Sequence, residues 1–289
     1  MTRQFLIDQI RDKKSYLCIG LDTDINKIPG HLQSHPDAIF EFNKQIIDAT
    51  KDLCVAYKIN TAFYEAVGAK GWETMEKTVH YIGTEHFKIA DAKRSDIGNT
   101  SSQYAKAFFE TLNFDAITVA PYMGEDSIRP FLQYENKWAI VLALTSNVGA
   151  KDFELQNIIT TTDDLEEGVH ITNQQTNYLY ETVLKKVSGW GTPDNLMFVV
   201  GATQTGELSN ARNMTPHHFY LVPGVGAQGG SLKEISEKAM IEDCGLLVNV
   251  SRAIIYASAN EDFSEKARIV AIQYQQEMES LLRDQVAFF

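Results

Sequence analysis

Short apolar runs recur along the chain, each closed by polar, charged or glycine residues. They are Tyr16–Asp22 (YLCIGLD), Val55–Asn60 (VAYKIN), Phe87–Lys93 (FKIADAK), Ala116–Ala120 (AITVA), Trp138–Thr145 (WAIVLALT), Leu196–Ala202 (LMFVVGA), Phe219–Val222 (FYLV) and Leu246–Val250 (LLVNV). Runs this short, rich in β-branched and aromatic residues, predict buried strands rather than helices. Most of the stretches between or beside them carry helical spacing instead. Residues 3–13 form an amphipathic pattern, and over 37–52 the residues Ile39, Phe42, Ile46 and Ala49 fall on one face. Further helices are predicted from Thr100 or Ser101 onward, and at about 127–136, 172–188, 205–213, 231–242 and 264–285.

Eight strands alternating with helices amount to eight β/α units, and no Pro/Gly/Ser linker or internal repeat divides them. The expected fold is therefore α/β: a (β/α)8 TIM barrel occupying residues 1–289 as a single domain, with an open doubly wound sheet as the alternative. The stretch from Ser146 to about Asn195 is too long for an ordinary loop and is read as an insertion after strand five, about 146–195, containing the polar run Thr160–Asp164.

Composition narrows the function classes. A length of 289 residues with 44% hydrophobic residues suffices for one large core, while a net charge of −12 argues against nonspecific nucleic-acid binding. A small anionic substrate remains compatible if a few cations gather locally. The three cysteines, Cys18, Cys54 and Cys244, are too far apart for a CxxC motif, and two of them lie in apolar runs. The polar start MTRQFLIDQIRDKKS is neither a signal peptide nor a membrane span, and no apolar run of about 18 residues follows. The expectation is a reduced, cytoplasmic enzyme without membrane contact.

In a barrel, reactive groups collect at the C-terminal ends of the strands. The third run ends there in Asp91-Ala92-Lys93-Arg94-Ser95-Asp96. Strand alternation points Asp91 and Lys93 the same way, while Asp96 lies beyond that face in the turn. An isolated DxKxxD is ordinarily a solvated salt-bridge cluster, and Lys58, whose plain alternative is a strand-end lysine snorkelling to solvent, is the other charge to weigh. It is a cation inside the apolar run VAYKIN, where an unpaired ammonium is costly to bury. If strands two and three are neighbours, Lys58 meets Asp91 and an alternating Lys58-Asp91-Lys93-Asp96 chain results. After strand seven, Pro223-Gly224-Val225-Gly226-Ala227-Gln228-Gly229-Gly230 opens a helix, a backbone suited to a phosphate dianion, and Arg252 after strand eight suits a bidentate phosphate contact. The same loop fits GxGxxG, a dinucleotide signature, but it comes after six strands rather than one. His217 and His218 precede strand seven, at the opposite end, and no HxH or HExxH cluster suggests a metal.

These positions carry a resemblance. Asp91, Lys93 and Asp96, followed by Ile97-Gly98-Asn99-Thr100, are similar to the signature of the orotidine 5'-phosphate decarboxylase family. Asp22 after strand one, Lys58 after strand two, the octapeptide Pro223–Gly230 and Arg252 resemble the same family. The long segment after strand five and Thr145-Ser146-Asn147 resemble its larger, bacterial (type 2) branch.

The resemblance implies conversion of orotidine 5'-monophosphate to uridine 5'-monophosphate and CO2, the last step of de novo pyrimidine synthesis, without a cofactor. Lys93, Asp91, Asp96 and Lys58 would carry the chemistry. Asp22, Ile97, Thr100, Thr145, Ser146, Pro223, Gln228 and Arg252 would bind substrate, with Asp22 on a ribose hydroxyl and Thr145 or Ser146 on the base. It further implies a homodimer in which Asp96 reaches the partner's site. Two other readings stand beside it: another phosphosugar-barrel lyase or epimerase, which would usually need a metal or a different acid–base pair, and a noncatalytic nucleotide-binding protein using the glycine loop.

Overall fold

A computed structural model describes residues 1–166, 169–203, 205–226 and 229–286, and the side chains of all of these except 162–166 and 169–173. In chain order the strands are β1 (Leu17–Gly20), β2 (Ala56–Asn60), β3 (Phe87–Arg94), β4 (Ala116–Val119), β5 (Trp138–Leu144), β6 (Asn157–Glu166), β7 (Val169–Tyr178), β8 (Leu196–Val200), β9 (Phe219–Pro223) and β10 (Leu246–Val250). The helices are α1 (Arg3–Lys13), α2 (Gly30–Gln33), α3 (Ala38–Thr50), α4 (Thr61–Glu65), α5 (Ala69–Ile82), α6 (Gly98–Lys106), α7 (Glu125–Leu132), α8 (Leu179–Val187), α9 (Thr205–Met214), α10 (Leu232–Ala239), α11 (Arg252–Ile255) and α12 (Phe263–Gln285). Eight strands close into a parallel barrel in the order β1-β10-β9-β8-β5-β4-β3-β2, as the alternation of apolar runs and helices predicts.

The register separates the two faces of every strand. Ala56 is paired with Phe87, Ala116 with Trp138, and Met197 with Phe219. The rings of Phe87 and Trp138 meet edge to face across the small Ala116 at 6.0 Å, so this set fills the barrel interior. The alternate residues turn outward onto the helices. Tyr57, for example, bonds Thr50 of α3, while Tyr16, just before β1, bonds Ser236 of α10. Below the interior floor, α1 buries Leu6, Ile7 and Ile10, and the Trp138 indole donates to the Met1 carbonyl at 2.8 Å. Following the interior set upward leads to Gly20, Lys58, Asp91, Thr118, Leu142, Val199, Pro223 and Asn249 at the C-terminal mouth.

Local structure departs from the sequence pattern in three places. Residues 169–178 form β7, paired antiparallel with β6, and only residues 179–187 are helical, so the helix expected at 172–188 begins later. The β-branched and polar residues along ITNQQTNY favour an extended ribbon, and the Glu181 carboxylate, accepting the Tyr178 amide at 2.6 Å, marks the true helix start. Helix α5 buries Met75, Thr78, Val79 and Ile82, a face that spans the gap between the second and third apolar runs where no helix was predicted. The first strand's ladder with both neighbours stops at Gly20, although the Leu21 amide still bonds the Lys58 carbonyl at 2.8 Å.

Candidate active site

The mouth carries a charged array on β2, β3 and the loop that follows β1. The Lys58 ammonium lies 3.0 Å from Asp91 Oδ2 and 3.3 Å from Asp22 Oδ1, and the Lys93 ammonium lies 2.6 Å from Asp91 Oδ1. Lys58 is buried and Asp91 partly so, whereas the Lys93 side chain is 50% exposed. The Thr118 hydroxyl donates to Asp91 Oδ1 at 3.0 Å and accepts the Lys93 backbone N–H at 2.9 Å. Asp91 thus receives two ammoniums and a hydroxyl, enough to keep a partly buried carboxylate charged.

Electrostatics follow from this packing. Burial pushes the Asp91 carboxyl up, but the Lys58 and Lys93 charges and their hydrogen bonds outweigh it, leaving the group well below the usual carboxylate range. Burial likewise pulls the Lys58 ammonium down, and Asp91 and Asp22 more than reverse this, so that it stays well above an ordinary lysine.

Lys93 reaches the array by a route that plain alternation does not predict. Between Ala90 and Arg94 the register of β3 against β4 shifts: Ala90 is paired with Ile117, and Arg94 with Val119. Four steps along β3 therefore match two along β4, and Lys93 takes a φ of +47°, in the left-handed region. The bulge lets the Lys93 side chain fold back onto Asp91 while the chain leaves the barrel. Arg94 secures the exit. Its guanidinium pairs with Glu65 of α4 and lies 5.5 Å from the Tyr104 ring centroid and 5.6 Å from that of Phe108. Neither the bulge nor the Arg94 clamp was read from the sequence.

Asp96 stands apart from the array. Its carboxylate accepts the Ile97 N–H at 2.7 Å and its backbone is held by Ser101, and among the described residues it forms no ion pair. Ile97 is 62% exposed, and Thr100 is exposed in the first turn of α6.

At the end of β5, Thr145 is engaged by a residue that sequence reasoning missed. The Glu154 carboxylate, which follows the turn Val148–Asp152, accepts the Thr145 amide at 2.6 Å and its hydroxyl at 2.9 Å. Ser146 packs on Gly201, where a Cβ would lie only 2.7 Å from the Ser146 nitrogen, and its carbonyl accepts the Thr203 hydroxyl at 3.1 Å. Thr145 is thus committed to the start of the insertion.

The glycine loop folds back on itself. The Gly229 amide bonds the Gly226 carbonyl at 2.9 Å, and the Gly230 amide bonds the Gly224 carbonyl at 3.2 Å. Gly224, Gly226 and Gly229 take φ values of +98°, +72° and +88°. At Gly226 the need for glycine is double, because a Cβ there would also lie 2.5 Å from the Tyr274 hydroxyl of α12. Pro223 is half-buried at the mouth. Gln228 lies outside the described residues. Arg252 is exposed at the start of α11, and among the described residues no carboxylate pairs with it. The site thus has a charged side at β1–β3, an apolar side at Leu142 and Val199, and a glycine and arginine rim at β9–β10.

Residues 15–267 match the family described as orotidine 5'-phosphate decarboxylase / HUMPS. The chain is 52% identical over 286 residues to an orotidine 5'-phosphate decarboxylase of Bacteroides fragilis, covering 98% of this chain and 99% of that one. It is 55% identical over 285 residues to one of Flavobacterium johnsoniae, covering 98% of each. Among solved structures, it is similar to Leishmania donovani OMP decarboxylase, with a TM-score of 0.76, 32% identity and coverage of 97% and 100%. Leishmania donovani UMP synthase gives a TM-score of 0.80 at 34% identity, where 96% of this chain spans 55% of that one.

Proposed function

Because this chain belongs to the orotidine 5'-phosphate decarboxylase family, we propose how its residues share the decarboxylation of orotidine 5'-monophosphate to uridine 5'-monophosphate and CO2. This is the last step of de novo pyrimidine synthesis. Loss of CO2 from C6 of the base leaves an electron pair that the ring stabilises poorly, so fixed charge must do so. The observation that carries the reading is the Lys93 ammonium held 2.6 Å from Asp91 at the barrel mouth. Set beside C6, that ammonium stabilises the developing carbanion and then delivers a proton to it. Asp91 orients Lys93 and faces the departing carboxylate. Lys58, buried between Asp91 and Asp22, pairs with both and helps keep Asp91 ionised.

Substrate binding is divided around the rim. Asp22 accepts from a ribose hydroxyl, and Arg252, Gln228 and the loop opened by Pro223 take the phosphate. Ile97 and Thr100 close over the site from α6. The base edge falls to Ser146 rather than Thr145, since Glu154 already occupies the Thr145 amide and hydroxyl. Phosphate contacts distant from C6 contribute to rate if they draw the rim closed over the array.

The working unit is a homodimer in the cytoplasm. Ile97, Tyr122, Val148 and Phe153 are 62%, 95%, 87% and 73% exposed in segments that follow β3, β4 and β5, an apolar rim suited to a second copy. Asp96, unpaired by any cation among the described residues, would complete the partner's array. The three cysteines are free and buried, and among the described residues no helix is long and apolar enough to cross a membrane.

Loss of orotate absorbance on mixing with orotidine 5'-monophosphate and EDTA tests the reaction; no change on the addition of a folded preparation overturns it. Mixing inactive Lys93→Ala and Asp96→Ala homodimers tests the sharing. Heterodimers with about half the parent activity support it, and inactive heterodimers confirmed by native mass spectrometry refute it.

A further inference from the structure

The array's weakest mechanical point is Asp22. It lies beyond the last residue of β1, in the loop to α2, and the last barrel bond is the one from the Leu21 amide to the Lys58 carbonyl, one residue before it. Side chains fix the rest. The Tyr64 hydroxyl donates to the Leu21 carbonyl at 3.0 Å, immediately before Asp22. The Thr23 hydroxyl, immediately after it, donates to Asn43 Oδ1 at 2.6 Å. Asn43 spends its two N–H donors on the Tyr64 oxygen at 2.8 Å and on Thr78 at 3.2 Å, and the Thr78 hydroxyl passes on to the Thr74 carbonyl at 2.8 Å. Tyr256 completes the hold, donating to the Asp22 carbonyl at 3.1 Å and accepting the Asp24 amide at 2.8 Å.

Every donor in the chain from Thr23 through Asn43 and Tyr64 to Leu21 has one acceptor, and the hydrogen-bond direction leaves no alternative amide orientation for Asn43. Asn43, Tyr64 and Thr78 are fully buried and Thr23 is 1% exposed, so this chain is sealed from the mouth and touches no substrate. Tyr64 sits in α4, which follows β2 directly, and Asn60 caps that helix two residues after Lys58. The chain therefore ties the loop bearing Asp22 to the element bearing Lys58.

We infer that Asn43 and Tyr64 are positioning residues for the decarboxylation, holding the Asp22 carboxylate against Lys58 and so registering the loop with the array. This rests on the reading of Asp22 as part of the working site. The test is a double-mutant cycle on kcat/KM. Tyr64→Phe keeps the ring and strands the Leu21 carbonyl; alone it is expected to lower kcat/KM about tenfold, but less than about twofold in an Asp22→Ala background. A role confined to general packing would cost the same factor in both backgrounds, and that result overturns the inference. Thr23→Val, at the opposite end of the chain, carries the same cycle if Tyr64→Phe does not fold. An Asp22→Ala enzyme with unchanged kcat/KM overturns the reading of Asp22 and this inference together. A large loss in Asp22→Ala with additive effects of Tyr64→Phe overturns the positioning alone.

Discussion

Replacing Lys93 with asparagine should separate chemistry from stability, because the two depend on different features of one residue. The Lys93 side chain is half exposed, so its pair with Asp91 is worth about 0.2–1 kcal/mol to the fold. After its loss, Asp91 keeps Lys58 and the Thr118 hydroxyl, each at 3.0 Å. Against that loss stands the φ of +47° at this position. The left-handed region costs most non-glycine residues about 1–2 kcal/mol, and asparagine tolerates it better. The two contributions nearly cancel, and Lys93→Asn should unfold in urea within about 1 kcal/mol of the parent, with an unchanged m-value. Activity should behave differently. An ammonium about 3 Å from a developing carbanion, at an effective dielectric near 20, contributes about 5 kcal/mol, so its removal should lower turnover on the order of 10⁴-fold. The assay is the loss of orotate absorbance under saturating substrate. A folded variant turning over within tenfold of the parent would remove Lys93 from the chemistry. A destabilisation beyond about 2 kcal/mol would refute the claim that its charge matters little to the fold.

Asp91→Asn should do the reverse for stability: Lys58 stays buried with only Asp22 at 3.3 Å, a broken buried pair costing about 3–5 kcal/mol, read as a fall in the urea midpoint alongside lost turnover. Arg252→Ala should weaken binding by about 1.5–3 kcal/mol for the nucleotide and far less for orotidine lacking its phosphate; an equal loss on both would place Arg252 elsewhere. Acid sensitivity should come from buried histidines. Burial, helped by Arg212 beside His218 and by Lys13 beside His86, pushes both imidazoles down to about 4. A folded-state value below the unfolded one, about 6.5, gives stability that is present above that pH and lost as pH falls toward 4. Asp91 and Lys58, held below and above their ordinary ranges, stay charged between pH 5 and 9 by the same logic, so their pair adds no slope there. Among the described residues neither ring nitrogen of His218 has a hydrogen-bond partner, and the ring packs 5.4 Å from that of Phe198. His218→Phe should therefore flatten the stability decline between pH 6.5 and 4, and an unchanged urea-midpoint profile would exclude His218 as its source.

What the sequence disclosed, and what it hid, follows from how far each interaction reaches along the chain. Lys58 was legible because a cation in an apolar run must find an anion, and parallel neighbours β2 and β3 bring Asp91 to it. The barrel was legible because strand and helix periods are local. The bulge that turns Lys93 inward was not, since the letters DAKR alternate as an ordinary strand end does; it appears only in the pairing of β3 with β4. The hold on Asp22 was equally hidden. Its bonds run through Thr23, Asn43 and Tyr64 between residues 20 to 43 positions apart, and from Tyr256 across 232 and 234 positions, and none of these residues is unusual within its own helix or loop. The Glu154 contact was hidden for a different reason, because nothing in the spacing of an insertion says which of its carboxylates turns back onto the strand it leaves. In each hidden case the missing information is a partner chosen by chain closure rather than by pattern. The reacting charges can therefore be read from the strands that carry them, whereas the groups that set the distances between those charges become identifiable only once the barrel has brought loop, helix and insertion together.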